Sequence, residues 1–448
     1  MKTKNKENTT WRRLDNSAKI FPISAGKKYS TVFRISCLLK EKVNKEILKK
    51  AVKEALKRYT SFKVKMKAGF FWYYLEENNK DVIIEEEKDY PCKYIDPKKN
   101  NDYLFKITYF ENKINIDIFH SLTDGGSGVV FFREIIYLYL ELMHPDVFNR
   151  NDRLLRKIDY NTEDSYMKNY SKKAKGNVSS KKAYILKGKK IKLGAISAIH
   201  EIIDADKLKE ECKKYEATVT QYLTAVLIYS IYKGNYEKLK SKSKRPIKVC
   251  IPVNLKKYFP SKTMSNFFSY MTLAYNIENK NKNIEKEKEE KKEINNTDMF
   301  IKILNFVKNE FKEKLTEEEI LKTMSANVKL GNNLFIKSIP LELKKILVRL
   351  SYIEIRKYTT ITFSNIGRIG IIGKYKDYIE YFLMLIAPEP VEKIKCSGCT
   401  FENKMVFTFT SILNDNSIEK EFYNFLKEKN ISVQIESNEV LDDISKEN

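Results

Sequence analysis

Between residues 44 and 59, Ile47, Leu48, Ala51, Val52, Ala55 and Leu56 recur at steps of three and four, which predicts a helix buried along one side. Around it the pattern changes to the two-residue alternation of strands. "YSTVFRISCLL" (29–39) precedes the helix, and "FKVKM" (62–66) and "GFFWYYLEE" (69–77) follow it. "LFKITYF" (104–110) and "KINIDIFH" (113–120), separated only by Glu111 and Asn112, read as a hairpin. Residues 126–143 have the length and apolar content of a largely buried helix. From about 148 to 190 the chain turns polar and reads as an interlobe linker.

Alternation then resumes. Strands are expected at 194–203, 245–255, 267–277, 359–367, 378–387, 392–402 and 404–412. Helices are expected at 205–215, 218–233, 284–314, 317–330, 341–350 and 417–429. Interleaved strands and helices imply an α/β class, with mixed rather than purely parallel sheets. At 448 residues the chain is long for one core, so two packed lobes are expected. The ranges are 1–165 for the first lobe, 166–190 for the linker and 191–448 for the second lobe.

"INIDIFHSLTDGGS" (114–127) and "MVFTFTSILNDNSI" (405–418) echo one another. Each is an alternating strand that ends in an aspartate-bearing turn and starts a helix. Asp124 falls opposite Asp415, and His120 opposite Ser411. The echo supports two related lobes, only the first of which carries a histidine there.

Composition changes little in this picture. An apolar fraction of 42% is ample for a globular interior. No apolar run reaches the ~18 residues needed to span a bilayer. The first ten residues have no apolar segment behind them, so they do not read as a secretory signal, and a cytoplasmic location is expected. The net charge of +25 would suit a nucleic-acid partner, but lysines and glutamates are interleaved, as in "NKNIEKEKEEKKEINN" (280–296). That patterning reads as solvated surface, and no nucleic acid is expected. Of six cysteines only Cys396 and Cys399 form a C-x-x-C. It lacks a second pair or histidines at ligand spacing, so a strand-to-strand turn is expected and no metal.

The chemistry centres on "FHSLTDGGS" (119–127), which holds one of only three histidines. His120 shares the parity of Ile114, Ile116 and Ile118, so it projects from the apolar face at the end of a strand. Asp124 stands where a helix N-terminus favours a carboxylate. Gly125 and Gly126 remove side chains where another group must approach. A partly desolvated imidazole is neutral near physiological pH and can accept a proton. There is no G-x-S-x-G and no cysteine beside a second histidine, so direct transfer to an acceptor fits better than an enzyme-bound intermediate. His144, at a helix end before proline, and His200 read as structural.

His120-x-x-x-Asp124-Gly125 resembles the H-x-x-x-D-G motif of the chloramphenicol acetyltransferase-like superfamily, which includes condensation domains and alcohol acetyltransferases. "FSNIG" (363–367), "IPVNLKKYFPSKTMSNFFSY" (251–270), "LDNSAKIFP" (14–22) and "GFFWYYLE" (69–76) resemble the alcohol acetyltransferase branch. The resemblance implies two lobes with mixed sheets flanked by helices and an active-site tunnel between them. It implies an acyltransferase that moves an acyl group, acetyl by the branch resembled, from an acyl-CoA co-substrate to a small alcohol or amine. His120 would be the general base and Asp124 a structural residue held by an arginine. Gly125 would keep the tunnel open. Ser364, Asn365 and Asn266 would orient the acyl carbonyl or its oxyanion. No further cofactor is implied, and a monomer is the simplest state. The sequence departs from relatives at Phe119, where condensation domains double the histidine, and at Lys63 and Lys256, where arginine is frequent. Two other readings remain open at this point: condensation-type transfer from a carrier protein, and a non-catalytic binding protein of the same fold.

Overall fold

The computed structural model describes residues 10–27, 29–148, 159–173, 181–234, 245–276 and 296–438. In the first half the order is β1 (Trp11–Arg13), α1 (Phe21–Ser24), β2 (Val32–Leu39), α2 (Lys45–Arg58), β3 (Val64–Ala68) and β4 (Tyr73–Glu77). Then come β5 (Ile84–Glu86), β6 (Phe105–Phe110), β7 (Lys113–Phe119), α3 (Gly125–Met143) and α4 (Ser165–Asn169). The second half continues with β8 (Ser197–Asp204), α5 (Ala205–Lys214), α6 (Val219–Gly234), β9 (Ile247–Asn254) and β10 (Phe268–Tyr275). Four helices follow: α7 (Asn296–Lys314), α8 (Glu317–Asn332), α9 (Leu334–Ser338) and α10 (Leu341–Arg356). The chain closes with β11 (Ile361–Arg368), β12 (Ile379–Ile386), β13 (Ile394–Phe401), β14 (Lys404–Ser411), α11 (Ser417–Glu428) and β15 (Val433–Ser437).

Two mixed sheets organise the molecule. One has the order β12-β2-β7-β6-β5 and the other β10-β9-β11-β13-β14-β8-β15. A small antiparallel sheet, β1-β4-β3, stands beside them. In the first sheet Phe33, Ile35 and Cys37 of β2 lie opposite Ile118, Ile116 and Ile114 of β7, and all six are buried under α2 and α3. Helix α2 starts at Asn44, whose side chain accepts from the Glu46 and Ile47 amides, as an N-cap should. The second sheet carries its own core, with α6 packed on α7 and α11 around Tyr222, Phe300 and Phe425.

Strand β12 belongs to the later half of the chain yet forms the edge of the first sheet, pairing antiparallel with β2. The later half therefore lends a strand to the first sheet, and a division by chain position does not follow the sheets. The stretch expected as a linker is also docked: Tyr166, Tyr184 and Leu186 are buried in the second core. Residues 149–158 and 174–180 of the polar stretch lie outside the described residues, as do 277–295 with nearly all of the charged run at 280–296.

Cys396 and Cys399 do not form a turn. Both lie inside β13, and their side chains enter different cores, Cys396 the second and Cys399 the first. Opposite faces of one strand cannot ligate one ion, and burial raises both thiols above their ordinary value, Cys399 to about 12. The turn comes just after, at Glu402, where φ is +45°.

That turn extends the internal echo. Phe110-Glu111-Asn112-Lys113 and Phe401-Glu402-Asn403-Lys404 are the same four residues, each closing a hairpin with the glutamate at positive φ. Each hairpin then delivers a strand and a turn whose aspartate accepts a backbone N–H in the next helix. Asp124 accepts from Ser127 at 2.8 Å, and Asp415 from Ser417 at 3.0 Å.

Candidate active site

The turn from His120 to Asp124 closes on its own strand through the Leu122 amide, which donates to the Phe119 carbonyl at 2.9 Å, and its side chains lead away from that strand. Ser121 Oγ donates to the Ala18 carbonyl at 3.2 Å, and Thr123 Oγ1 to the Met264 carbonyl at 2.7 Å. Asp124 caps α3, and its second oxygen accepts the Phe267 amide at 2.9 Å. It makes no ion pair among the described residues. The arginine that the resemblance implies is thus replaced by two backbone N–H groups, which satisfy both carboxylate oxygens in a buried place. Lys256 serves the same junction from another side. Its Nζ donates to Ser127 Oγ at 2.8 Å in the first turn of α3.

His120 sits where the lobes meet. Phe21 of α1 stacks on its ring at 4.6 Å between centroids, while Phe33 of β2 and Phe268 of β10 each approach to 5.2 Å. The residue is half-buried rather than sealed off. Burial, with a smaller push from Lys395, lowers the imidazole pKa below the ordinary 6.5 against the opposing pull of Asp124 and Asn266.

Its tautomer follows from the hydrogen bonds. Asn266 Nδ2 donates to Asp15 Oδ2 at 3.1 Å and to the His120 carbonyl at 3.0 Å. With the amide nitrogen so occupied, Asn266 Oδ1 faces His120 Nδ1 at 3.0 Å and must accept from it. The proton is therefore on Nδ1, and Nε2 carries the lone pair. Nε2 has no partner among the described residues. Asp15 anchors the arrangement: it also accepts the Ala18 amide at 2.8 Å and the Asn266 amide at 3.1 Å, and burial pushes its carboxyl up to about 6.

The other expected residues are placed differently. Gly125 is close to β11 and β12, where a Cβ would come to 3.2 Å from Met384 Cε and 3.5 Å from Ile366 Cγ2. Its missing side chain lets α3 begin against those strands. Ser364 shares the face of Ile366, which packs on the first-lobe core, and its hydroxyl makes no hydrogen bond among the described residues. Asn365 points the other way. Its Nδ2 donates to Thr220 Oγ1 at 3.0 Å and its Oδ1 accepts the Gly367 amide at 2.9 Å, so it shapes the end of β11 and offers nothing to His120. His144 and His200 are engaged elsewhere, with Glu41 at 2.6 Å and with Thr408 at 2.9 Å, and burial drives His200 down to about 3. Asp15, Phe21 and Phe268 were not singled out by sequence reasoning; only the likeness of "LDNSAKIFP" and "NFFSY" to one family touches them.

Residues 201–370 match the sequence model of the alcohol acetyltransferase family. That stretch is similar to the alcohol acetyltransferases, a family of acyltransferases. The family match covers Asn266 and Ser364 of the second lobe, while His120 precedes it. No curated protein matches the chain in sequence. Among solved structures, TRI101 of F. graminearum complexed with coenzyme A and T-2 mycotoxin is similar at a TM-score of 0.60 and 11% identity, covering 95% of this chain and 99% of that one. TRI3 trichothecene 15-O-acetyltransferase from Fusarium sporotrichioides gives 0.57 and 9%, covering 94% of both chains. The first condensation domain of the CDA synthetase gives 0.59 and 10%, over 94% of this chain and 97% of that one. The chain thus has the fold of these acetyltransferase and condensation-domain structures, with mixed sheets flanked by helices as expected.

Proposed function

We propose that the protein transfers an acyl group, acetyl first among them, from a coenzyme A thioester to the hydroxyl of a small alcohol, with His120 as general base. The observation that carries this reading is the unpartnered Nε2 of an imidazole whose Nδ1 is committed to Asn266. An acceptor hydroxyl hydrogen-bonded to Nε2 gives up its proton as its oxygen attacks the thioester carbonyl. The C–S bond then breaks, and the imidazolium returns the proton to the departing thiolate. Lowering the imidazole pKa by burial keeps it unprotonated at neutral pH, so the base is ready without a further partner. The free hydroxyl of Ser364 is the candidate donor to the oxyanion that forms in between.

Thiol release from acetyl-CoA in the presence of a panel of alcohols tests the reading. His120→Ala should lower kcat/KM by roughly 10²–10⁴-fold while the melting temperature stays near that of the parent. Turnover in that variant equal to the parent's would sink the proposal. Release from an acyl-carrier protein but not from acyl-CoA would assign a condensation-type donor instead.

A further inference from the structure

Helix α10 is turned inside out relative to a surface helix. Leu341, Lys344 and Tyr352 occupy its buried side. The opposite side presents Leu343, Ile346, Leu347 and Leu350, which are 58%, 60%, 52% and 64% exposed. Their spacing of three, one and three residues places them on one stripe of the helix. Leu334 of α9 just before it is 82% exposed. The turn between β3 and β4 is fastened to the start of α10 through residues of its buried side. The Leu341 amide donates to the Phe70 carbonyl at 2.9 Å, and Lys344 Nζ to the Phe71 carbonyl at 3.0 Å while lying 3.6 Å above the Trp72 ring. Phe70 and Phe71 are themselves exposed. Scattered exposed apolar residues need no explanation, but four on one stripe of a helix mark a contact surface.

Charge around the stripe says what it contacts. Its acids are neutralised locally: Glu342 by Lys345 at 2.7 Å, and Glu354 by Lys182 and Lys357 at 2.6 Å each. Lys67, Lys337 and Arg349 are exposed and make no ion pair among the described residues. The molecule as a whole carries +25. Like charge opposes a second copy of the chain on this face, whereas an anionic surface is drawn to it. An apolar helix face rimmed by unpaired bases is the arrangement that lies in a lipid interface, its aliphatic side chains among the acyl chains and its bases at the headgroups.

We infer that α9 and the exposed stripe of α10 form a docking face for an anionic lipid bilayer. No helix among the described residues is long and apolar enough to cross a membrane, so this is attachment in the plane of the interface. Helix α10 also packs on α1, whose Phe21 stacks on His120, so the docked face stands one element away from the candidate base. The inference itself rests on the surface and not on the activity.

The test is flotation of the full chain with phosphatidylserine-containing vesicles, with pure phosphatidylcholine vesicles, and with the former in high salt. The expected result is binding to the anionic vesicles, little to the neutral ones, and release by salt. Ile346→Asn combined with Leu350→Asn should cut the bound fraction by about tenfold or more. Its melting temperature should not change, because both side chains are already in water. Lys337→Glu combined with Arg349→Glu should weaken binding to the anionic vesicles alone. A parent protein that stays with the soluble fraction overturns the inference. So does an Ile346/Leu350 variant that floats as the parent does, since charge without the stripe would then suffice. A dimer seen by light scattering, dissolved by that variant and indifferent to vesicles, would assign the face to a second copy.

Discussion

Glu201 and Glu419 each bury a carboxyl in the second lobe, and one oxygen of each has no hydrogen-bond partner among the described residues. Glu419 faces a cavity of about 130 Å³ beside Ser411 and Asp415, the second-lobe counterparts of His120 and Asp124. Burial pushes its carboxyl from the ordinary 4.5 up to about 7. Ionising it in the folded protein therefore costs about 3 kcal/mol. Between pH 4.5 and 7 the folded chain keeps a proton that the unfolded chain releases, so stability falls as pH rises through that window and levels off above it. Glu419→Gln removes this dependence. Its melting temperature should match the parent's near pH 4.5 and exceed it by a few degrees at pH 8. Parallel curves for the two proteins across that range would contradict the assignment. The contrast with Asp15 is instructive. Burial raises that carboxyl too, but three N–H donors oppose the rise, and the acceptor is needed to hold Asn266 against His120.

At the scale of elements, β7, its turn and α3 are one device, and the sequence exposes only part of it. Alternation over 113–120 and the apolar run over 126–143 lie within a residue or two of the observed strand and helix, because both are set by local burial patterns. His120 and Asp124 are legible for the same reason: they stand at the junction of two clear periodicities. Asn266 is 146 positions away in the chain, and nothing local shows that its amide meets the imidazole. Short pieces such as β1 and β5, three residues each, have no room for a period. Asp124 carries a testable consequence of the missing arginine. Asp124→Asn keeps an oxygen for the Ser127 amide but turns an N–H₂ group toward the Phe267 N–H. Two donors then face one another in a buried place, which costs about 1–3 kcal/mol. The urea midpoint should fall accordingly, and an unchanged midpoint would show that the turn is held by other contacts.

For the whole molecule, the crossing of β12 decides how the lobes behave. Residues Ile379–Ile386 leave the second lobe, cover the edge of β2, and bury Phe382 and Met384 in the first core. Without that strand β2 would present an unpaired, apolar edge. The junction around His120 adds further ties: Asn266 donates to Asp15, and the Phe267 amide to Asp124. The first sheet is then incomplete without β12, and the Asp124 turn is unsatisfied without the Phe267 amide, so the two lobes should unfold together. Both tryptophans, Trp11 and Trp72, lie in the first half, so their fluorescence follows one lobe while far-ultraviolet circular dichroism follows both. In a urea titration the two signals should trace one transition with one midpoint. Separate midpoints, with fluorescence lost before or after the helical signal, would mean that the lobes hold together independently of the crossing strand.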